Sequence, residues 1–475
     1  MTYRSHLDHR SGAARLARLA PLVAIALWPL SGCVLKNPPD ASAIKSESMP
    51  SVAVPAAWTA AGAGAGVVSS NWLTTFRDDA LTATVIEALA HNADLRVAAT
   101  RVEQAVLHAR LAGAKLYPSA DLLARGGGKM SGDGSGLQGG VLSVNWELDL
   151  WGRVRYGRAA AAADAASVQA DFEYARQSLA ALVAKSWFLA IEASLQAEVA
   201  RGTIRDDEEL IRLAETRSRI GVANDEDVFV ARASAGASRD NLRQIELARE
   251  QAIRALEILL GRYPGAVAAV SSQLPGQPDA VPAGLPSELL ERRPDVLAAE
   301  RRVAAAFNRI HEAKAARLPA ITLTTGVSSI SSELFVLTNS DNPIWNLGAN
   351  LMAPLYRGGA LKTQVEIRTA EQKQAVASYA AVGLKAFAEV EDALSSEIAA
   401  RDREQILAQT LSDSQRAFEI VQTQFKVGST DLRFVTQRQL ALHAARSAVI
   451  RVRTEQRVQR VNLHLALGGT FDARP

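Results

Sequence analysis

Apolar residues recur at spacings of four and three along two long stretches of the chain. Val168, Phe172, Ala175, Leu179 and Leu182 form one stripe, and Val376, Ala380, Gly383, Phe387, Val390 and Leu394 form the other. This is the periodicity of a helical seam, with small residues that let a second helix come close. No proline interrupts the chain between Pro118 and Pro264 or between Pro354 and Pro475. From 158 to 219 the only glycine is Gly202, and from 361 to 425 the only one is Gly383. At 1.5 Å per residue each stretch reaches on the order of 90 Å, far beyond the globular average of about 11 residues. The pattern predicts long helices over about 157–219, 225–260, 360–425 and 431–467.

Elsewhere the period changes to two. Leu142, Val144, Trp146, Leu148 and Leu150 alternate with Ser143, Asn145, Glu147 and Asp149, and Trp345, Leu347, Ala349 and Leu351 alternate with Asn346, Gly348 and Asn350. Strands are expected at about 119–129, 137–150, 320–330 and 344–355, which makes two hairpins. The polar members Asn145, Glu147, Asp149, Asn346 and Asn350 then share one face of the strands.

The chain also resembles itself. Asn92, Asp94, Arg101 and Pro118 line up with Arg293, Asp295, Arg302 and Pro319 at an offset of 201, and Gly221 and Gly261 line up with Gly428 and Gly468 at 207. One unit has been duplicated: residues 71–263 and 287–469, joined by a Pro/Gly-rich linker at 264–286 and followed by a tail at 470–475. Each copy reads as helix, two strands, very long helix, turn, helix.

Composition adds an address. Arg4, Arg10, Arg15 and Arg18 precede an apolar stretch of 12 residues, Leu19 to Leu30, which is too short to span a bilayer and reads as a signal peptide over 1–32. It ends in Leu30-Ser31-Gly32-Cys33, which looks like a bacterial lipobox, and Cys33 is the only cysteine. Residues 33–70, rich in proline and glycine, are expected to be a lipidated tether. Of 53 basic and 50 acidic residues, four and one lie in 1–32; the remainder balances to zero, and a nucleic-acid partner gets no support.

Strands with one apolar and one polar face suit either a soluble sandwich or a membrane barrel with a wet lumen. In the second case four strands cannot close a barrel, and open edges are not tolerated in hydrocarbon, so other copies must complete it. Two chains would give eight strands and a filled bore, whereas three would give twelve and a passage.

From Trp72 to Gly469 the chain resembles the outer-membrane factor family, the TolC-like channels of tripartite export systems, and within it the lipoprotein branch. The markers are Trp72-x-x-x-Phe76-x-Asp78-x-x-Leu81, the Asn92/Asp94/Leu95 helix start, Glu291-Arg292-Arg293-Pro294-Asp295-Val296, Ala313-x-x-x-Arg317-Leu318-Pro319, Pro354-Leu355-Tyr356-Arg357-Gly358-Gly359 and Ala466-Leu467-Gly468-Gly469. The resemblance implies a mainly α fold with membrane β. In it, a homotrimer forms a twelve-stranded β-barrel, four strands per chain, continuous with a long periplasmic α-helical barrel. It implies a passive outer-membrane efflux duct, anchored by lipid, that meets a periplasmic adaptor and an inner-membrane pump of the resistance-nodulation-division type.

Candidate chemistry lies at the turns after the two longest helices, Arg219 to Val228 and Gln424 to Leu432, where Gly221 and Gly428 offer the conformation that ends a helix. In relatives such tips close the tube and dock the adaptor. Asp227 falls at an acid that, in the best-known relative, joins a closing network with a tyrosine and an arginine; those two positions carry Phe425 and Thr430. Asp225, Glu226, Asp227 and Asp431, repeated threefold, are expected to form an acidic ring favouring cations. The same acids also suit the starts of solvated helices, complementing their N-terminal dipoles.

No catalytic signature is present: there is no nucleophile elbow, phosphate loop or dinucleotide fingerprint. His91, His108, His311, His443 and His464 have no partners at ligand spacing, so neither a metal nor a cofactor is expected beyond the covalent lipid on Cys33. The alternative to a duct is a periplasmic lipid-anchored coiled-coil adaptor or scaffold. An adaptor would show one helical hairpin between β-rich segments, and a scaffold or anchored enzyme would need a compact segment carrying a site.

Overall fold

The structure, a computed structural model, describes residues 35–60, 71–125, 138–221, 224–277, 279, 281, 283–284, 286–331 and 344–469. The signal segment, Cys33, the loops between paired strands and the tail lie outside the described residues. The helices are α1 (Ala41–Ser48), α2 (Asp79–His91), α3 (Ala93–Ala114), α4 (Arg153–Arg219), α5 (Asp225–Leu259), α6 (Pro294–Ala315), α7 (Ala360–Lys426) and α8 (Leu432–Ala466). A 3₁₀ turn spans Trp72–Phe76, and another, Pro286–Glu288, leads into a single α turn at Leu289–Arg292. The strands are β1 (Ser119–Arg125), β2 (Gln138–Leu148), β3 (Ala320–Ser331) and β4 (Ile344–Met352).

The duplication is visible in element lengths. Helices α3 and α6 have 22 residues each, α4 and α7 have 67 each, and α5 and α8 have 35 each. It is visible in a joint as well: Asn92 Nδ2 donates to the Leu259 carbonyl at 3.0 Å, and Arg293 Nη1 donates to the Ala466 carbonyl at 3.2 Å. In each copy a side chain at the start of the first long helix satisfies a carbonyl that the end of the last helix leaves open.

The chain divides into two compact units, each drawing on both copies. One comprises residues 1–50, 103–167 and 299–379; the other comprises 51–102, 168–298 and 380–475.

The first unit holds the sheet. Its four strands are antiparallel in the order β1-β2-β3-β4, so β2 pairing with β3 joins the two hairpins into one meander. Register sorts the side chains by chemistry, because directly opposed residues share a face. Ser119, Asp121, Ser143, Asn145, Glu147, Thr322, Thr324, Asn346 and Asn350 lie on one face; Leu122, Leu142, Val144, Trp146, Leu148, Ile321, Leu323, Val327, Trp345, Leu347 and Leu351 lie on the other. Among the described residues the apolar face is open to solvent along β4, with Trp345 at 78% and Leu347 at 85% exposed. At the strand ends Trp146 Nε1 donates to the Leu116 carbonyl at 2.9 Å and Trp151 Nε1 to that of Pro319 at 2.7 Å.

The second unit is helical. Its core gathers Trp72, Phe76, Leu81, Val85, Trp187, Phe188, Ile191 and Leu256. Burying each of the large side chains is worth about 1.5–3 kcal/mol. In this unit the seam on α7 is buried at Gly383, Val390 and Leu394, with Ala386 and Ala393 beside them. On α4 the stripe departs from the expectation. Leu182 is 46% exposed, and Val183, Trp187 and Ile191 are buried instead, because a spacing of four from Leu179 brings the bulkier Trp187 inward. Helix α4 contains a window apolar enough to cross a membrane, but half of that window is buried in the protein and belongs to this core.

The expected tether is fastened. Asp40 caps α1, Ile44 is fully buried, Trp58 Nε1 donates to the Ala283 carbonyl at 3.1 Å, and the Thr59 and Ala60 amides donate to Glu391 at 2.8 Å. Ile44 and Trp58 are anchors that a count of prolines and glycines overlooks.

Candidate functional site

Two regions carry candidate function: the turns of the helical hairpins and the sheet. Helix α4 ends at Arg219, and Gly221 follows at φ +77°; α7 ends at Lys426, and Gly428 follows at φ +82°. After Gly428 the Ser429 amide reaches back to the Gln424 carbonyl at 2.9 Å, which closes the last turn. A Cβ would meet nothing closer than 4.0 Å at either position, so glycine is required there for its left-handed backbone and not for space. Asn224 and Asp431 hold the extended N-cap positions of α5 and α8, and neither side chain caps its helix.

A cleft of about 460 Å³ opens between these turns, lined by Arg217, Gly221, Asn224, Glu226, Asp227, Val230, Phe425, Thr430, Asp431 and Arg433. Phe425 is its floor, 1% exposed in a small core with Leu210, Ala214, Val228, Phe418, Leu432 and Val435. The Arg217 guanidinium carbon lies 4.5 Å from the Phe425 ring centroid, and Nη1 donates to the Phe425 carbonyl at 2.5 Å. Asp431 pairs with Arg433 at 3.4 Å, and Ser218 Oγ donates to Asp225 at 2.7 Å. The Asp227 carboxyl is pushed above the usual carboxylate range, by its partial burial first and then by the charge of Asp431, against the opposing pull of Arg217. Glu226 stays exposed in the first turn of α5, where the helix dipole favours it.

The structure thus brings Glu226, Asp227, Phe425, Thr430 and Asp431 to one cleft. It also adds Arg217 and Arg433, which a reading based on acids alone missed. The cleft is a mixed-charge surface around a buried aromatic ring. Phe425 belongs to the core, and its ring offers the cleft no polar group. A signal for Arg433 existed in the spacing Asp431-x-Arg433; Arg217 lies 208 residues from Phe425 and carries no local signal.

On the sheet, Asn145 accepts from Thr324 Oγ1 at 3.2 Å, and Asn346 and Asn350 lie exposed on the polar face. Glu147 is held by Arg153 through contacts of 3.0 and 2.5 Å. Asp149 departs from the expectation. The strand ends at Leu148, and the Asp149 carboxylate accepts from the Val154 and Arg155 amides at 2.9 Å each and from Arg155 Nε at 3.1 Å. It caps the start of α4 and lines no face of the strand, because the open amide N–H groups there are better donors to a carboxylate than solvent. Among the described residues no three His, Cys, Asp or Glu side chains converge on a point that a metal ion could occupy.

The family described as "Outer membrane efflux protein" matches residues 85–262 and 285–469. The "Cation efflux system protein CusC" of Escherichia coli O6:H1 is 31% identical over 412 residues, spanning 84% of this chain and 88% of the relative. The "Pyoverdine export outer membrane protein OpmQ" of Pseudomonas aeruginosa is 32% identical over 445 residues, spanning 89% and 92%. Among solved structures, the open state of the MtrE outer membrane channel of Neisseria gonorrhoeae superposes with a TM-score of 0.79 at 25% identity, covering 93% of this chain and 99% of that one. A duplicated unit with this length, sheet and pair of helical hairpins belongs to the outer membrane efflux protein family.

Proposed function

We propose that three copies of this chain form a passive duct through the outer membrane, a twelve-stranded barrel with the polar face of each sheet lining a wet lumen and the apolar face against lipid. One observation carries the reading: a four-stranded sheet sorted into an apolar and a polar face, with β1 pairing only to β2 and β4 only to β3 among the described residues. Hydrocarbon accepts such a sheet only if the edges are closed, and twelve strands leave a passage that eight would fill. The cargo would arrive through a periplasmic adaptor at the hairpin tips, moved by an inner-membrane pump of the resistance-nodulation-division type. The names of the relatives span cations and pyoverdine, which suits a duct whose selectivity lies with the pump.

Lipidation of Cys33 would anchor the chain. Leu35, two residues on, packs against Gly152 just beyond β2, and the Lys36 amide donates to Tyr156 Oη at 2.9 Å. This fixes the chain close to where the sheet's apolar face ends. Several acyl chains at that level would reinforce the barrel's own hold on the membrane.

The test is the micelle-corrected molar mass of full-length protein extracted in mild detergent, followed by conductance in planar bilayers. Three times the mass of the mature chain, with ohmic channels, is expected. A monomer that stays soluble once Cys33 is replaced by Ala would overturn the duct and favour the scaffold reading.

A further inference from the structure

Sheet and helices change over along a single edge. Strands β1 and β3 start where α3 and α6 have ended, and β2 and β4 end where α4 and α7 are about to begin, so in an antiparallel meander all four crossings fall at one end of the sheet. Tyr117, Trp151 and Tyr356 are exposed there. Such rings favour the boundary between hydrocarbon and water, because the body of the side chain is apolar and its tip is not. The crossings also carry unbalanced positive charge. Lys115, Arg317 and Arg357 are exposed at three of them, and none makes an ion pair among the described residues. The two acids at this level, Glu147 and Asp149, are already held by Arg153 and Arg155.

The segment that follows the lipobox leads to the same level. Lys36 lies three residues beyond Cys33, and its amide is fastened to the Tyr156 hydroxyl in the first turn of α4. The Tyr156 ring stacks on His311 of α6, with centroids 5.1 Å and planes 23° apart, and His311 meets Phe307 at 4.5 Å. Spacings of four and three put Phe307, His311 and Lys314 on one face of α6, so Lys314 is the next side chain toward the sheet. Lys36 and Lys314 thereby flank His311, and both are exposed and without an ion pair among the described residues. After burial, the charges of these two lysines are what hold the imidazole below its ordinary value. The nearest acid along α6, Glu312, lies instead against Gly157 and acts on Arg153.

We propose that Lys36 and Lys314 bind the phosphate of a membrane phospholipid beside the chain's own lipid anchor, with anionic phospholipids preferred. Two ammonium groups gathered around a ring repel each other, and an anion between them turns that repulsion into attraction. The occupant is a phospholipid because the exposed rings at the crossings and an acyl chain on Cys33 both set the two lysines at headgroup depth, where phosphates are concentrated. A zwitterionic lipid brings its own ammonium and gains less from the site than an anionic one. The inference rests on the lipidated outer-membrane reading above and names the lipid contact that reading leaves open. A covalent and an ionic hold then fix the first residues of the mature chain against α4 and α6.

The experiment is lipid retention by the full-length protein in mild detergent, read by native mass spectrometry after addition of phosphatidylglycerol or of phosphatidylcholine with the same acyl chains. Phosphatidylglycerol should stay bound at concentrations where phosphatidylcholine is lost. Lys36→Ala with Lys314→Ala should weaken its binding about 25-fold, about fivefold for each lysine. Lys36→Arg with Lys314→Arg should restore it, and Lys115→Ala, at the same level but outside the pair, should cost less than Lys314→Ala alone. Equal retention of the two lipids by the parent, or a loss in Lys115→Ala as large as in Lys314→Ala, overturns the site. Release of phosphatidylglycerol by an equal concentration of inorganic phosphate overturns the lipid as occupant and leaves a free-anion site. The same spectra report the mass of the protein itself. A chain without acyl mass, or a single chain, overturns the anchored-duct reading, whereas acylated trimers without the lipid preference overturn this site alone.

Discussion

Arg217, near the end of α4, lies over the ring of Phe425, near the end of α7, with its guanidinium carbon 4.5 Å from the ring centroid and a 2.5 Å hydrogen bond to the Phe425 carbonyl. One side chain thereby ties the two hairpin turns to each other and places a positive charge near Asp227. Arg217→Ala removes the stacking and the bond together, a loss of about 1–2 kcal/mol concentrated at the turns. Hydrogen exchange of the α4 and α7 ends should accelerate about tenfold, with little change in the Trp187 region. Uniform acceleration along the helices would mean that the contact is not local.

Asp227 and Asp431 share the cleft, and the second helps to hold the first above its ordinary value. An acid whose folded value is raised binds its proton more tightly when folded. The turn therefore gains stability as pH falls through that raised value and loses it above. Asp431→Asn removes one of the two leading causes and leaves burial. The acid limb of the conductance–pH curve should move to lower pH in Asp431→Asn and stay in place in Asp431→Glu; a fixed midpoint in both would uncouple the two acids.

His464 is 1% exposed and stacked on Trp72 at 5.6 Å, and among the described residues neither ring nitrogen has a hydrogen-bond partner. Burial first, then the charge of Arg460, pushes it down to about 3. A histidine with a depressed folded value contributes stability that is complete above about pH 6.5 and is lost as pH falls toward that folded value, at about 1.4 kcal/mol per unit. His464→Phe keeps an aromatic partner for Trp72 and has nothing to protonate. Denaturant unfolding should give equal or greater stability at pH 7 and a shallower loss between pH 6.5 and 4.5 than in the parent. An identical slope would exclude His464 from the acid response.

Arg293 is 1% exposed and bonds Asp295 at 2.7 and 3.0 Å, Glu389 at 2.7 Å and the Ala466 carbonyl. Burial opposes its charge, and the two carboxylates outweigh burial, so the guanidinium is held charged more firmly than usual. Arg293→Leu takes the guanidinium from Asp295 and from a helix-terminal carbonyl and leaves Glu389 only Lys385 at 3.6 Å, at a cost of about 3–5 kcal/mol. Thermal melting should show the largest loss among these variants, and Arg293→Lys should recover little of it, because an ammonium cannot span three acceptors in one plane. Full recovery by lysine would assign the site to charge alone.

Periodicity fixes what repeats, and so the long helices and the alternating strands stood out in the sequence. Helices α4 and α7 span the glycine-poor stretches 158–219 and 361–425, where no proline breaks a helix. Contacts made across the chain left no such mark. The cover Arg217 gives Phe425, the anchoring of Trp58 at Ala283 and the closure of α8 by Arg293 each join residues more than 150 positions apart. Asp149 was misread for a local reason: alternation continues through it, but its carboxylate is taken by the amides that open α4. Pattern reports which face a residue occupies, and competition for hydrogen bonds decides where the element stops.

Equal helix lengths restrict how such a protein can change. Removing seven residues from α4 alone would draw Arg217 back by about 10.5 Å along the axis, two turns away from Phe425. Removing one would rotate everything beyond it by about 100° and turn the seam outward. Only deletions made in whole turns, and made together in α4, α5, α7 and α8, keep both turns level and both seams facing inward. For these four helices length is a shared coordinate: a viable change in one requires three matching changes elsewhere in the same gene.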